Sequence, residues 1–87
     1  MAHMLAKLTA VDVSNVKQKL AADASGHAEQ GMHLEHLWRN ADHPNEVLFL
    51  FRVDDLDRCK QLMERAHLEA RLEDPHAKLP ETIFLDG

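Results

Sequence analysis

The sequence has one cysteine, three glycines scattered along the chain, and no tyrosine. Each scarcity excludes something. Cys59 has no partner for an internal disulfide, so a reducing compartment, the cytoplasm, is expected. Scattered glycines form no phosphate-cradling loop, so no nucleotide is expected to bind and no cofactor is assigned. Lys and Arg number 10 against 15 Asp and Glu, a formal charge of −5, and no basic stripe interleaves with aromatics. Nucleic acid and anionic membranes are therefore not expected partners, because clustered cations drive phosphate binding. No apolar run approaches the roughly 18 residues that span a bilayer.

What is present suits one small globular unit. Apolar residues make up 45% of the 87 positions, which argues against disorder. Met1-Ala-His-Met4 holds two methionines close together, so residues 1–3 are expected to be an expression-vector remnant and residues 4–87 a single domain. A domain of this size buries only roughly 60% of the surface its unfolded chain exposes. A second copy would supply further burial.

Leu5 to Val11 reads as a first strand. Asp12, Ser14 and Asn15 then offer side chains for a helix start, and Val16, Leu20, Ala24 and Ala28 follow at helical spacing. Gly26 weakens that helix by about 1 kcal/mol relative to alanine, and Gly31 is placed to end it. Met32 to Asn40 and Glu46 to Val53 read as strands of a hairpin around Ala41-Asp-His-Pro-Asn45. Setting Arg39 opposite Glu46 predicts Trp38 opposite Val47, His36 opposite Phe49, Leu34 opposite Phe51 and Met32 opposite Val53. That face is apolar apart from His36. The reverse face carries Leu37, Leu48 and Leu50. Asp54 and Asp55 can cap a second helix, whose Leu56, Cys59, Met63, Ala66 and Ala70 share a side. Leu68 and Leu72 point elsewhere, so the helix breaks near His67 or meets a partner there. Thr82 to Leu85 reads as the last strand. The order β-α-β-β-α-β predicts a ferredoxin-like α+β fold, an antiparallel four-stranded sheet with helices on one face. A twin subunit on the open face would complete it.

The block Trp38-Arg-Asn-Ala-Asp-His-Pro-Asn-Glu-Val-Leu-Phe-Leu-Phe-Arg-Val-Asp-Asp-Leu-Asp-Arg58 resembles small proteins of the dimeric α+β barrel superfamily, cyclase-like or antibiotic-biosynthesis-monooxygenase-like. The resemblance runs from Val11 to Leu85. It implies a homodimer of ferredoxin-like subunits packed through their sheets. Relatives include cofactor-independent oxygenases, isomerases, haem-degrading enzymes and proteins without known chemistry, so the fold alone selects no reaction.

His36 is the candidate catalytic residue, because an imidazole among apolar walls can move protons near neutral pH. Leu34, Trp38, Phe49 and Phe51 are the expected pocket walls around a small apolar ligand. His33-Leu-Glu-His36 does not converge on one ion when extended, so no metal is assigned. Arg39 and Arg52 are expected to pair with Glu46 and Glu35 across strands, and Asn40 and Asn45 to stabilise the hairpin loop. Cys59 is expected to act as a small hydrophobe, with His67 and His76 in solvent. Two readings compete: a monooxygenase-, cyclase- or isomerase-like enzyme or binder, and a non-catalytic dimeric structural or regulatory module. A haem-binding relative with a histidine axial ligand is a third.

Overall fold

The strictest pattern in the chain, Val47-Leu-Phe-Leu-Phe-Arg-Val53, folds as its alternation requires. In the computed structural model, which describes residues 1–77 and 79–87, it forms a strand with every second residue buried. The elements run β1 (Ala2–Leu8), α1 (Val13–Ala22), α2 (Ala24–Glu29), β2 (Met32–Arg39), β3 (Val47–Val53), α3 (Leu56–Glu73) and β4 (Glu81–Asp86). The four strands form one antiparallel sheet in the order β2-β3-β1-β4. This is the ferredoxin-like α+β arrangement that the sequence predicts. β1 starts earlier than expected: Ala2 and His3, within the presumed remnant, pair with Val53 and Arg52.

The first helical stretch is two helices rather than one. Asp12 caps α1 by accepting hydrogen bonds from the Ser14 and Asn15 amides at 2.9 and 3.4 Å. The helix gives out at Asp23, whose backbone has φ −92° and ψ 0°, and α2 continues from there. Gly31 ends the region with φ +77°, a conformation that costs a side chain energy. Its carbonyl accepts the Asp54 amide at 2.9 Å, and a Cβ there would lie 3.4 Å from that of Asp54.

The expected hairpin register holds for Met32–Val53 and Leu34–Phe51, then fails. A β-bulge at Glu35 places His36 opposite Leu50, Leu37 opposite Phe49 and Trp38 opposite Leu48. One extra residue on one strand exchanges the two faces beyond it. Leu37 therefore joins the helix side, while His36 and Trp38 move to the open face.

The core comprises Met4, Ala6, Met32, Val47, Phe49, Phe51, Val53 and Cys59. Asp55 caps α3 through the Arg58 amide at 3.1 Å. The helix then runs unbroken past His67, which removes the first of the two alternatives, and leaves Leu68 and Leu72 exposed. Cys59 is its one buried residue. The C-terminal half of α3 thus stands over the sheet without pressing large side chains into it.

Both expected arginine pairs are taken by other bases. Lys7 bonds Glu46 at 3.0 Å, and His3 bonds Glu35 at 2.9 Å. The Asn40 side chain also donates to Glu46 at 3.2 Å and accepts the Asp42 amide at 2.9 Å, stabilising the loop as expected. The Asn45 carbonyl accepts the Val11 amide, tying this loop to the α1 approach. The Lys7 hydrogen bond holds the Glu46 carboxyl below its usual range, against a smaller upward push from burial. The same bond raises the Lys7 pKa.

Replacing Phe51 by alanine is expected to cost about 3–5 kcal/mol in urea unfolding, through lost burial and a cavity at the sheet centre. A depressed carboxyl pKa contributes stability above the ordinary carboxylate range and loses it as pH falls through the lowered value. Lys7 contributes below its ordinary value and loses that contribution as pH rises through the raised one. Unfolding midpoints between neutral and acid pH should therefore fall more steeply for the native protein than for Glu46→Gln. Equal slopes would refute a role for this pair.

Candidate functional site

A gap opens beneath α3 on the helix side of the sheet. It is a cavity of about 470 Å³ whose floor is Met4, Phe49 and Phe51. Leu20 of α1 and Met63 of α3 stand at its walls, and Lys19 and Asp23 are exposed at its rim. A second hollow of about 510 Å³ adjoins it between the first two helices and β2, sharing Leu20, His27, Met32 and Phe51. Both fall in the size range of small-molecule sites, which are usually roughly 300–1,000 Å³.

Two imidazoles line the main cavity. His27 projects from α2, partly buried, with its ring edge-to-face against Phe51 at 5.3 Å and 79°. His67 enters from α3, also partly buried, which corrects its expected exposure. His76 is exposed. Imidazole is the side chain best suited to accept and donate a proton at physiological pH. An apolar floor also favours an uncharged ligand over a charged one.

The expected site residues divide between the two faces. Phe49 and Phe51 line the main cavity, and Leu34 lines the adjoining hollow. His36 and Trp38 lie on the opposite face, where their rings stack at 4.9 Å and 13°. The bulge at Glu35 is the reason. His36 therefore does not reach the cavity built by Phe49 and Phe51.

His27 was missed, although a signal for it exists. It lies seven residues after Leu20, a spacing that on one unbroken helix sets both on the same apolar side. His67 lies four residues after Met63 by the same logic. Among the described residues, no three His, Cys, Asp or Glu side chains gather as a metal-ligand group. No helix described is long and apolar enough to cross a membrane.

The sheet order, with the helices on one face, defines a ferredoxin-like α+β fold, and solved structures share it. A candidate antibiotic biosynthesis monooxygenase from Deinococcus radiodurans matches with a TM-score of 0.64 and 14% identity, over 100% of this chain and 92% of its own. Another from Nitrosomonas europaea gives 0.61 and 14%, over 100% and 98%. An uncharacterized NIPSNAP domain protein from Burkholderia xenovorans gives 0.58 and 20%, over 100% and 94%. No protein-family profile and no curated protein sequence matches the chain.

Cys59 is not part of this chemistry. Burial pushes its thiol up, and its Sγ lies 4.0 Å from Met4 Sδ. It is expected to stay unmodified by a thiol reagent at neutral pH in the folded protein and to react fully once urea unfolds it. Rapid labelling of the native state would contradict this packing.

Proposed function

We propose that the protein binds a small, largely apolar or aromatic molecule in the cavity beneath α3 and acts on it by proton transfer. The carrying observation is the pair His27 and His67 on the walls of a cavity floored by Phe49 and Phe51. A neutral imidazole accepts a proton from an activated C–H or O–H of the ligand and returns it elsewhere. Isomerisation and cyclisation both begin with such a step. Cofactor-independent oxygenation can begin in the same way, by leaving an electron-rich ligand anion. His27 and His67 take the role expected of His36, which lies on the other face.

We also propose that the working form is a homodimer joined through the open sheet face. Trp38, Ile83 and Leu85 are 48%, 56% and 42% exposed there, with Leu5, Leu48 and Leu50 between them. Such a contiguous apolar patch is typical of an interaction surface. The resemblance of the Trp38–Arg58 block to the dimeric α+β barrel superfamily supports this reading.

Titration with a panel of small phenols and aromatic ketones, followed by NMR of the histidine rings, tests the cavity. Binding should shift His27 and His67 while leaving His36 and His76 in place, and Ala70→Phe should abolish the response with the fold intact. Silence across the panel in the native protein would favour the non-catalytic module. Light scattering tests the assembly. A dimer mass is expected, with Trp38 shielded from acrylamide; a monomer at high concentration would refute it.

A further inference from the structure

The open face of the sheet can be laid out as a grid from its strand pairing. One row reads Leu85, His3, Arg52, His33; the next Ile83, Leu5, Leu50, His36; the third Glu81, Lys7, Leu48, Trp38. Strands lie about 4.8 Å apart and alternate residues about 6.8 Å apart. Four strands by three rows is therefore nearly square, about 14 Å on a side. Apolar residues occupy one diagonal, from Trp38 through Leu48, Leu50, Leu5 and Ile83 to Leu85. The opposite corners are polar: Arg52, His33 and the bulged Glu35 at one, Glu81 and Lys7 at the other.

Arg52 is the anomaly. Its Nε is sealed from solvent without an acceptor, and its guanidinium makes no hydrogen bond or ion pair among the described residues. The nearby carboxylates are engaged, Glu35 by His3 at 2.9 Å and Asp54 by His33 at 3.1 Å. Nε lies out of reach of any second molecule, but the terminal Nη groups are not sealed and stay open to an acceptor from outside the subunit. Exposed Glu81 at the far corner feels the charge of its cross-strand neighbour Lys7 but makes no hydrogen bond or ion pair among the described residues, since the Lys7 ammonium is bonded to Glu46.

A symmetric pair must use one patch twice. An axis along the strands sets Arg52 over the twin's His3. An axis across them sets it over Leu48. Along the polar diagonal, Glu81 lies over Glu81 and His33 over His33, like against like. Along the apolar diagonal, rows exchange with columns: Arg52 falls over the twin's β4 between Ile83 and Glu81, His33 over Glu81, and Lys7 beside Glu35.

We infer that the second copy docks with its two-fold axis along the Trp38–Leu85 diagonal, so that each Arg52 receives its acceptor from the partner's Glu81. The two sheets then cross near a right angle, one of the two common packings of sheet on sheet. The apolar band seals against itself, and the charged corners choose the orientation. This rests on the homodimer proposed above and adds its geometry.

Two experiments test it. Leu85 lies on the axis and meets its own copy, whereas Ile83 lies off it. A short bismaleimide should join Leu85→Cys into a covalent dimer and leave Ile83→Cys single, with buried Cys59 silent in the native control. Arg52→Glu and Glu81→Arg should each raise the dimer Kd by about tenfold or more, and the double reversal should return it close to the native value. Circular dichroism checks folding; if Arg52→Glu does not fold, Glu81→Arg and the crosslinks carry the test. A native dimer in which Ile83→Cys crosslinks as readily as Leu85→Cys, or in which the double reversal gives no rescue, overturns the axis and leaves the dimer standing. A native protein that is monomeric overturns both.

Discussion

Burial of one side of β3 is the constraint on which the rest of the molecule depends. Val47, Phe49, Phe51 and Val53 are at most 6% exposed, and the strand pairs on both edges, with β1 and with β2. Slipping either neighbour along its whole length would turn four large apolar residues toward solvent or place polar ones against them. The helices, Met4, Ala6 and Met32 then gather on the side that β3 defines. This is also why both hollows are floored by Phe51: the residue that organises the core is the one left facing the gap where the helices do not close.

The bulge at Glu35 divides the molecule's two surfaces. Without it, His36 and Trp38 would lie over Phe49, and Leu37 would stand with Leu48 and Leu50 on the open side. With it, Leu37 adds to the covered side, and a stacked His36–Trp38 pair is set at the sheet edge. A bulge in an edge strand also interrupts the regular ladder that invites uncontrolled strand addition. One inserted residue thereby separates the cavity from the surface proposed for self-association.

The cavity itself comes from incomplete packing by α3. Only Cys59 is buried along its 18 residues. Alanines at 66 and 70 face the sheet where larger side chains would fill the gap, and His67 stands between them. A helix that must anchor at one end while leaving space at the other needs small residues there. Ala66 and Ala70 were legible as an apolar stripe, but a stripe cannot say whether it closes on the sheet or stands away from it.

Much of the architecture was written in local patterns. Alternation marked β3, Asp12 and Asp55 marked two helix starts, Gly31 marked the turn into β2, and the order of elements implied the sheet. These are short-range properties, set by neighbouring side chains and backbone conformation. The break at Asp23, the exchange of faces past Glu35, and the partners of Glu35 and Glu46 were not so marked. Each depends on residues distant along the chain: β1 brings His3 and Lys7 to carboxylates that the hairpin alone would have given to arginines. The sequence by itself determined which segments are strands and helices and that one sheet face is covered. Only the tertiary structure decided which histidines share a cavity, because a single inserted residue reverses the direction of a side chain while leaving the alternating pattern almost unchanged.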